Sequence, residues 1–225
     1  AITQDPRLAD AYYIKAIILN NTGNAAEAIK NFNTAIYLKP NYVEAYTNLG
    51  KVYFQNNQFE EAYNYFNKAI SINPKFPDAY VSRGIILQKA SKLIEALQDF
   101  NTAISLDSNN AEVFYNRGNT YNYLTKPNEA MSDYLFALKL DSSHFQTWNN
   151  IGVMHFNNKN YAYAKPCFDK SIFINPKYSE AYFSRSFFLK QTGNFSDAYK
   201  DALKADSLGK KLPENYISSL QDSLK

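Results

Sequence analysis

Six alanines stand 34 residues apart without a slip: Ala28, Ala62, Ala96, Ala130, Ala164 and Ala198. Four positions after each comes Phe32, Phe66, Phe100, Tyr134, Phe168 and, at the last, Ala202. Three further on stand Ala35, Ala69, Ala103, Ala137, Ser171 and Ala205. Upstream runs a column of rings, Tyr12, Tyr46, Tyr80, Phe114, Trp148 and Tyr182, each followed four residues later by Ala16, Gly50, Gly84, Gly118, Gly152 or Ser186. A fixed period of this length means that one small structural unit is copied along the chain and stacked on its neighbours.

Within each unit the small and large positions recur at helical spacing, so each set marks one face of a helix. Two such faces per unit, separated by a short turn, make a helical hairpin. Small residues let its helices approach closely while a ring from one fills the space beside the small residue of the other. Thr22-Gly23-Asn24, Asn56-Asn57-Gln58, Lys159-Asn160 and Thr192-Gly193-Asn194 read as the turns, and Pro40, Pro74 and Pro176 as stops after the second helix. Seven Gly and eight Pro are too few for a many-stranded sandwich or barrel, which needs a turn every ~8–12 residues. The chain is therefore expected to be all-α. Pro166 falls inside a second helix, where a kink or a displaced helix start near 162–166 is expected.

The run Tyr46-x-x-Leu49-Gly50-x-x-Tyr53, Ala62, Phe66, Ala69, Pro74 resembles the signature of the tetratricopeptide repeat (TPR) family. On that resemblance the units are 9–42, 43–76, 77–110, 111–144, 145–178 and 179–212. It implies a right-handed superhelical solenoid of antiparallel helix pairs, with first helices lining the concave side. Residues 1–8 match the tail of an upstream repeat, since Ala1-Ile2 and Pro6 precede Ala35-Ile36 and Pro40 by one period. Residues 213–225, with Tyr216, Ile217, Leu220 and Leu224 at helical spacing, read as a C-terminal capping helix.

Chemistry is sparse. Cys167 is the sole cysteine and His144 and His155 the two histidines, so neither a disulfide framework nor a transition-metal site is expected. No phosphate loop, HExxH or acid-pair motif occurs. The expectation is no enzyme and no cofactor. A net charge of +3 from 24 basic and 21 acidic residues points to neither nucleic acid nor an anionic membrane surface. No apolar run approaches the ~20 residues of a membrane span. No leader is apparent, leaving the cytoplasm as the default compartment.

The expected ligand face follows from the hairpin. Numbering each unit from its first residue, positions 2, 5, 6, 9, 12 and 13 of the first helix share one arc, opposite the residues that face the partner helix. Nine of these 36 positions are Asn, against 18 of the other 189 residues, more than a twofold enrichment. An amide both donates and accepts, so a row of them can satisfy a peptide backbone. Asn48, Asn116 and Asn150 share position 6 with Ser82, and Asn119 and Asn149 lie beside them. This row is similar to the asparagine ladder in the TPR superhelix of O-linked N-acetylglucosamine transferases, although Ile14 breaks it in the first unit. Lys51 is one of three lysines on the arc. Seven rings that the repeat does not demand also fall there: Tyr13, Phe54, Tyr115, Tyr123, Phe156, Phe183 and Phe187. Phe156, Phe183 and Phe187, with Val153, form a candidate apolar patch, unless the C-terminal helix folds over them.

Carboxylates at position 2 (Asp10, Glu44, Asp78, Glu112, Glu180) read either as a stripe for a basic ligand or as complements of helix dipoles. The clamp that some family members use for acidic C-termini requires a Lys at position 5, which this chain lacks. The expected partner is thus a protein or peptide of neutral to basic character, bound in the concave groove. Two alternatives stand beside it: a substrate-recruiting arm of a larger enzyme such as a glycosyltransferase, and a self-assembling scaffold that forms a homo-oligomer.

Overall fold

The computed structural model describes residues 6–224, and every regular element among them is helical. Residues 1–5, and with them most of the expected upstream tail, lie outside the described residues. The chain divides into two compact units, Ala1–Leu124 and Thr125–Lys225. The first holds α1 (Pro6–Asn21), α2 (Ala25–Leu38), α3 (Val43–Gln55), α4 (Phe59–Ile72), α5 (Pro77–Lys89), α6 (Leu93–Leu106) and α7 (Ala111–Tyr123). The second holds α8 (Pro127–Leu140), α9 (Phe145–Asn157), α10 (Tyr161–Ile174), α11 (Ser179–Gln191), α12 (Phe195–Ser207) and α13 (Tyr216–Asp222).

In the first unit α1 pairs with α2, α3 with α4 and α5 with α6, and each second helix also packs on the next first helix. The second unit repeats this with α9–α10 and α11–α12, and closes with α13 on α12. The period explains the packing. Phe32, Phe66, Phe100, Tyr134 and Phe168 are each no more than 1% exposed. A Cβ built on Gly50 would lie 2.6 Å from the Phe66 ring, and one on Gly84 or Gly152 2.7 Å from Phe100 or Phe168. At Gly50, Gly84 and Gly152 the ring at position 24 thus leaves no room for a Cβ, whereas the first hairpin buries Ala16 and Phe32 together.

The turn inside each hairpin repeats a backbone state. Position 15 is left-handed in all six: Gly23, Asn57, Ser91, Thr125, Lys159 and Gly193 have φ between 56° and 83°. Only two of the six are glycine, so four side chains bear the cost of that region. Asn24, Asn110 and Asn194 cap the helices that follow them by accepting a backbone N–H.

The arginines at position 7 brace neighbouring helices. Arg83 donates from Nε and Nη2 to Asp99 at 2.8 and 2.7 Å, and from Nη1 to Asn67 in the preceding hairpin at 2.7 Å. Arg185 does the same with Asp201 and Asp169.

The structure corrects the displaced helix start expected near Pro166. Helix α10 starts at Tyr161, the position at which the other second helices start, and runs through the proline. Pro166 and Ala162 are both exposed, so water reaches the Ala162 carbonyl that loses its helical donor. The C-terminal helix is also shorter than residues 213–225: Lys210 to Asn215 form a non-helical approach, with Asn215 left-handed.

Candidate functional site

In the first unit the first helices α1, α3, α5 and α7 lie side by side, as do α9 and α11 in the second. The side chains between adjacent first helices are mostly buried. At position 5, Thr47, Val81 and Asn149 are 2%, 7% and 3% exposed, and at position 6 Ser82 and Asn116 are buried as well. The face open to a ligand is therefore narrower than the arc drawn from helical periodicity. Its open side chains come chiefly from positions 2, 9, 12 and 13.

The asparagines of position 6 do not share one environment. Asn48 donates to the Tyr13 hydroxyl at 2.8 Å, across from α3 to α1. Asn116 turns onto its own helix and donates to the backbone carbonyl and carboxylate of Glu112 at 2.8 and 3.0 Å. Asn150 donates to the Tyr134 hydroxyl at 3.4 Å. Beside it, Asn149 Oδ1 is buried without a hydrogen-bond partner, while its amide lies 3.5 Å from Asn150 Oδ1. Asn119 and Tyr115 are half-buried on α7.

Tyr13 sits in a ring cluster, 5.9 Å from Phe32 and 4.9 Å from Tyr42 between centroids, and burial raises its hydroxyl above the ordinary tyrosine range. Lys51, Phe54 and Ser82 come together with Gln55, Ile85 and Phe66 around a cavity of about 260 Å³ between α3 and α5. Tyr123 is 65% exposed and, with Gln88, Lys89, Ser91 and Leu93, lines a second cavity of about 420 Å³. Gln88 bridges α5 to α7, donating to the Asn116 carbonyl at 3.1 Å and to Thr120 Oγ1 at 2.7 Å. Gln88 at position 12 and Ile85 at position 9 both fall on the arc drawn from the period. Their use depends on which neighbour each meets, and a single-repeat pattern does not carry that.

In the second unit Phe156 and Phe187 meet edge to face at 5.7 Å, with Phe188 and Tyr161 beside Phe156. Phe187 remains 41% exposed. Phe183 separates from them: its ring packs edge to face on Tyr216 of α13 at 5.5 Å, under the Lys210 ammonium. The C-terminal segment further engages Lys190, which donates to Ser219 at 2.8 Å, and Glu180, which pairs with Lys210. The apolar patch thus reduces to Phe156 and Phe187.

Neither histidine joins Cys167 in a dyad. Burial pushes the Cys167 thiol up to about 11, while His144 is bonded to Thr147 and His155 stacks near Tyr163. Among the described residues no cluster of metal-ligating side chains occurs, and no helix is long and apolar enough to cross a membrane.

Comparison with solved structures shows the same architecture. A chain of the APC/C hetero-tetramer Cut9-Hcn1 superposes with a TM-score of 0.87 at 13% identity over 99% of this chain. This chain spans 44% of that one's length. PilF of Pseudomonas aeruginosa gives 0.82 at 17% identity, over 96% of this chain and 97% of its own. YrrB, described as a TPR protein with an unusual peptide-binding site, gives 0.59 at 19% identity, over 85% and 97%. No curated protein matches the chain. Tetratricopeptide repeat models match residues 43–76, 145–178, 65–98 and 111–144, and a TPR repeat model matches 16–57 and 89–122. Together these matches run unbroken from residue 16 to residue 178, and the chain belongs to the tetratricopeptide repeat family.

Proposed function

We propose that the chain is a protein-interaction scaffold whose first helices hold a peptide segment of a partner protein along their concave face. The observation that carries this reading is Phe187. It is 41% exposed and stands on Phe156, on a face that also carries Asn157, Glu180, Lys190 and Gln191. An exposed aromatic anchor within a polar rim is the composition of binding hot spots. The peptide-binding site for which YrrB is described supports the same use of the fold.

The partner segment is neutral to basic. Glu44, Asp78 and Glu112 are exposed at the start of their helices in the first unit, and the amides Asn122, Asn157 and Gln191 are exposed at the ends of theirs. The reading assigns the chain no reaction of its own, consistent with a buried, protonated Cys167. Capture of partners from cell extract by the immobilised chain tests it. A Phe187→Glu variant that retains the native helical spectrum should lose the captured protein, and undiminished capture would remove the second unit's patch from the account.

A further inference from the structure

The first unit carries a second, differently built seat. The cavity between α3 and α5 has Phe66 and Ile85 for apolar walls, Phe54 at its side, and Lys51, Gln55 and Ser82 at its rim. Its volume of about 260 Å³ falls below the ~300 Å³ at which small-molecule sites begin. It is the size for a side chain rather than for a free metabolite. Lys89 holds its ammonium 5.6 Å from the centre of the Phe54 ring and 5.9 Å from Phe59. Neither Lys51 nor Lys89 has a carboxylate at ion-pair distance among the described residues, whereas Arg83, Lys165, Arg185, Lys200 and Lys210 each have one. Lys89 in the last turn of α5 complements the helix dipole. Lys51 lies mid-helix, so that account does not extend to it.

Charge is segregated along these helices. Glu44 and Asp78 stand exposed at the starts of α3 and α5, roughly 10 and 16 Å along the helix axis from Lys51 and Lys89 at 1.5 Å per residue. Beyond Lys89 the surface opens into the second cavity, beside Gln88, Ser91 and Tyr123. A bound chain therefore has room to continue past the lysine.

We infer that the cavity between α3 and α5 receives one large aliphatic side chain of an internal peptide segment, with an adjacent Asp or Glu of that segment on Lys89 and Lys51. This rests on the groove reading above and specifies its ligand in the first unit: neutral overall, with its acidic group beside the aliphatic residue. The apolar walls favour burial of the aliphatic chain. Lys51 at the rim and Lys89 beside the Phe54 ring favour a carboxylate, and water reaches both, so that preference is modest.

The test uses the full chain labelled with nitrogen-15 and acetylated, amidated nonapeptides of Ser, Gly and Asn around a central Leu-Glu pair, with one Lys at the far end to keep the Leu-Glu peptide neutral. The Leu-Glu peptide should move the amide resonances of Phe54, Ile85 and Lys89. Ala-Glu should bind about tenfold more weakly, and Leu-Gln about threefold more weakly. On Lys89→Gln, an exposed substitution, the Leu/Ala difference should persist and the Glu/Gln difference shrink. Equal binding of Leu-Glu and Leu-Gln to the native chain overturns the carboxylate seat. Stronger binding of a peptide ending in a free carboxylate after Leu overturns the internal segment. Shifts confined to Phe156 and Phe187 overturn the inference and leave the groove reading standing, while no shift on either face sinks both.

Discussion

The hydroxyl of Tyr216 lies 3.1 Å from Ser186 Oγ, at the place where the other hairpins set a ring against a small residue. In the hairpin of α11 and α12 the ring position is Ala202 and the usual glycine is Ser186, whose hydroxyl donates to the Ala198 carbonyl at 2.6 Å. Tyr216 arrives from α13 and fills the volume that Ala202 leaves. It is only 7% exposed, and Leu220 one turn later is fully buried.

Tyr216→Ala should therefore destabilise the second unit by about 3 kcal/mol, the lower range for removing a core ring. Tyr216→Phe should cost about 1 kcal/mol for the lost hydroxyl pairing. Denaturant unfolding followed by the near-ultraviolet signal of Trp148 reads that unit, and a change within error for Tyr216→Ala would show that α13 does not contribute to its core.

Gly50→Ala should be costly although it enlarges the side chain by one methyl. Its Cβ would meet the buried Phe66 ring at 2.6 Å, so the ring must shift from its packed position. We expect a loss of about 1–3 kcal/mol. A thermal melt no lower than that of the native chain would show that the seam is looser than it is drawn.

The left-handed turns predict gains. Lys159→Gly and Ser91→Gly place glycine at φ of 60° and 59°, where a side chain is strained. Each should stabilise the chain by about 0.5–1 kcal/mol, net of the added freedom glycine brings to the unfolded state. A fall in the unfolding midpoint for either variant would contradict the assignment.

Asp169 predicts an acid dependence. Burial raises its carboxyl, but hydrogen bonds from Lys165 and Arg185 outweigh burial and hold it below the ordinary aspartate value. A depressed folded value gives stability that is fully present above the unfolded value near ~3.9 and is lost as pH falls through the folded one. Stability of the native chain should thus drop between about pH 5 and pH 2 more steeply than that of Asp169→Asn. Parallel curves for the two would remove this carboxylate from the acid response.

The 34-residue period made the buried scaffold legible because Ala62, Phe66 and Gly50 do the same work in nearly every hairpin. It did not show the left-handed state at position 15, since Asn57, Ser91, Thr125 and Lys159 share no side-chain type there. Nor did it show that Phe183 is covered, because Tyr216 approaches from outside the six repeats. The open face was the least legible part. Asn48 and Asn116 occupy one position in the period, yet one bonds to a neighbouring tyrosine and the other to its own helix. What a groove residue can offer a ligand depends on its neighbour, and the neighbours differ from hairpin to hairpin.

The most direct measurement places a photo-reactive benzophenone side chain at Phe187 on first helix α11 and, separately, at Phe173 on second helix α10, which is 78% exposed. Irradiation in cell extract should join a partner protein to the chain from Phe187 and not from Phe173. Equal yields from both sites, or a partner joined from Phe173 alone, would contradict binding along the first helices.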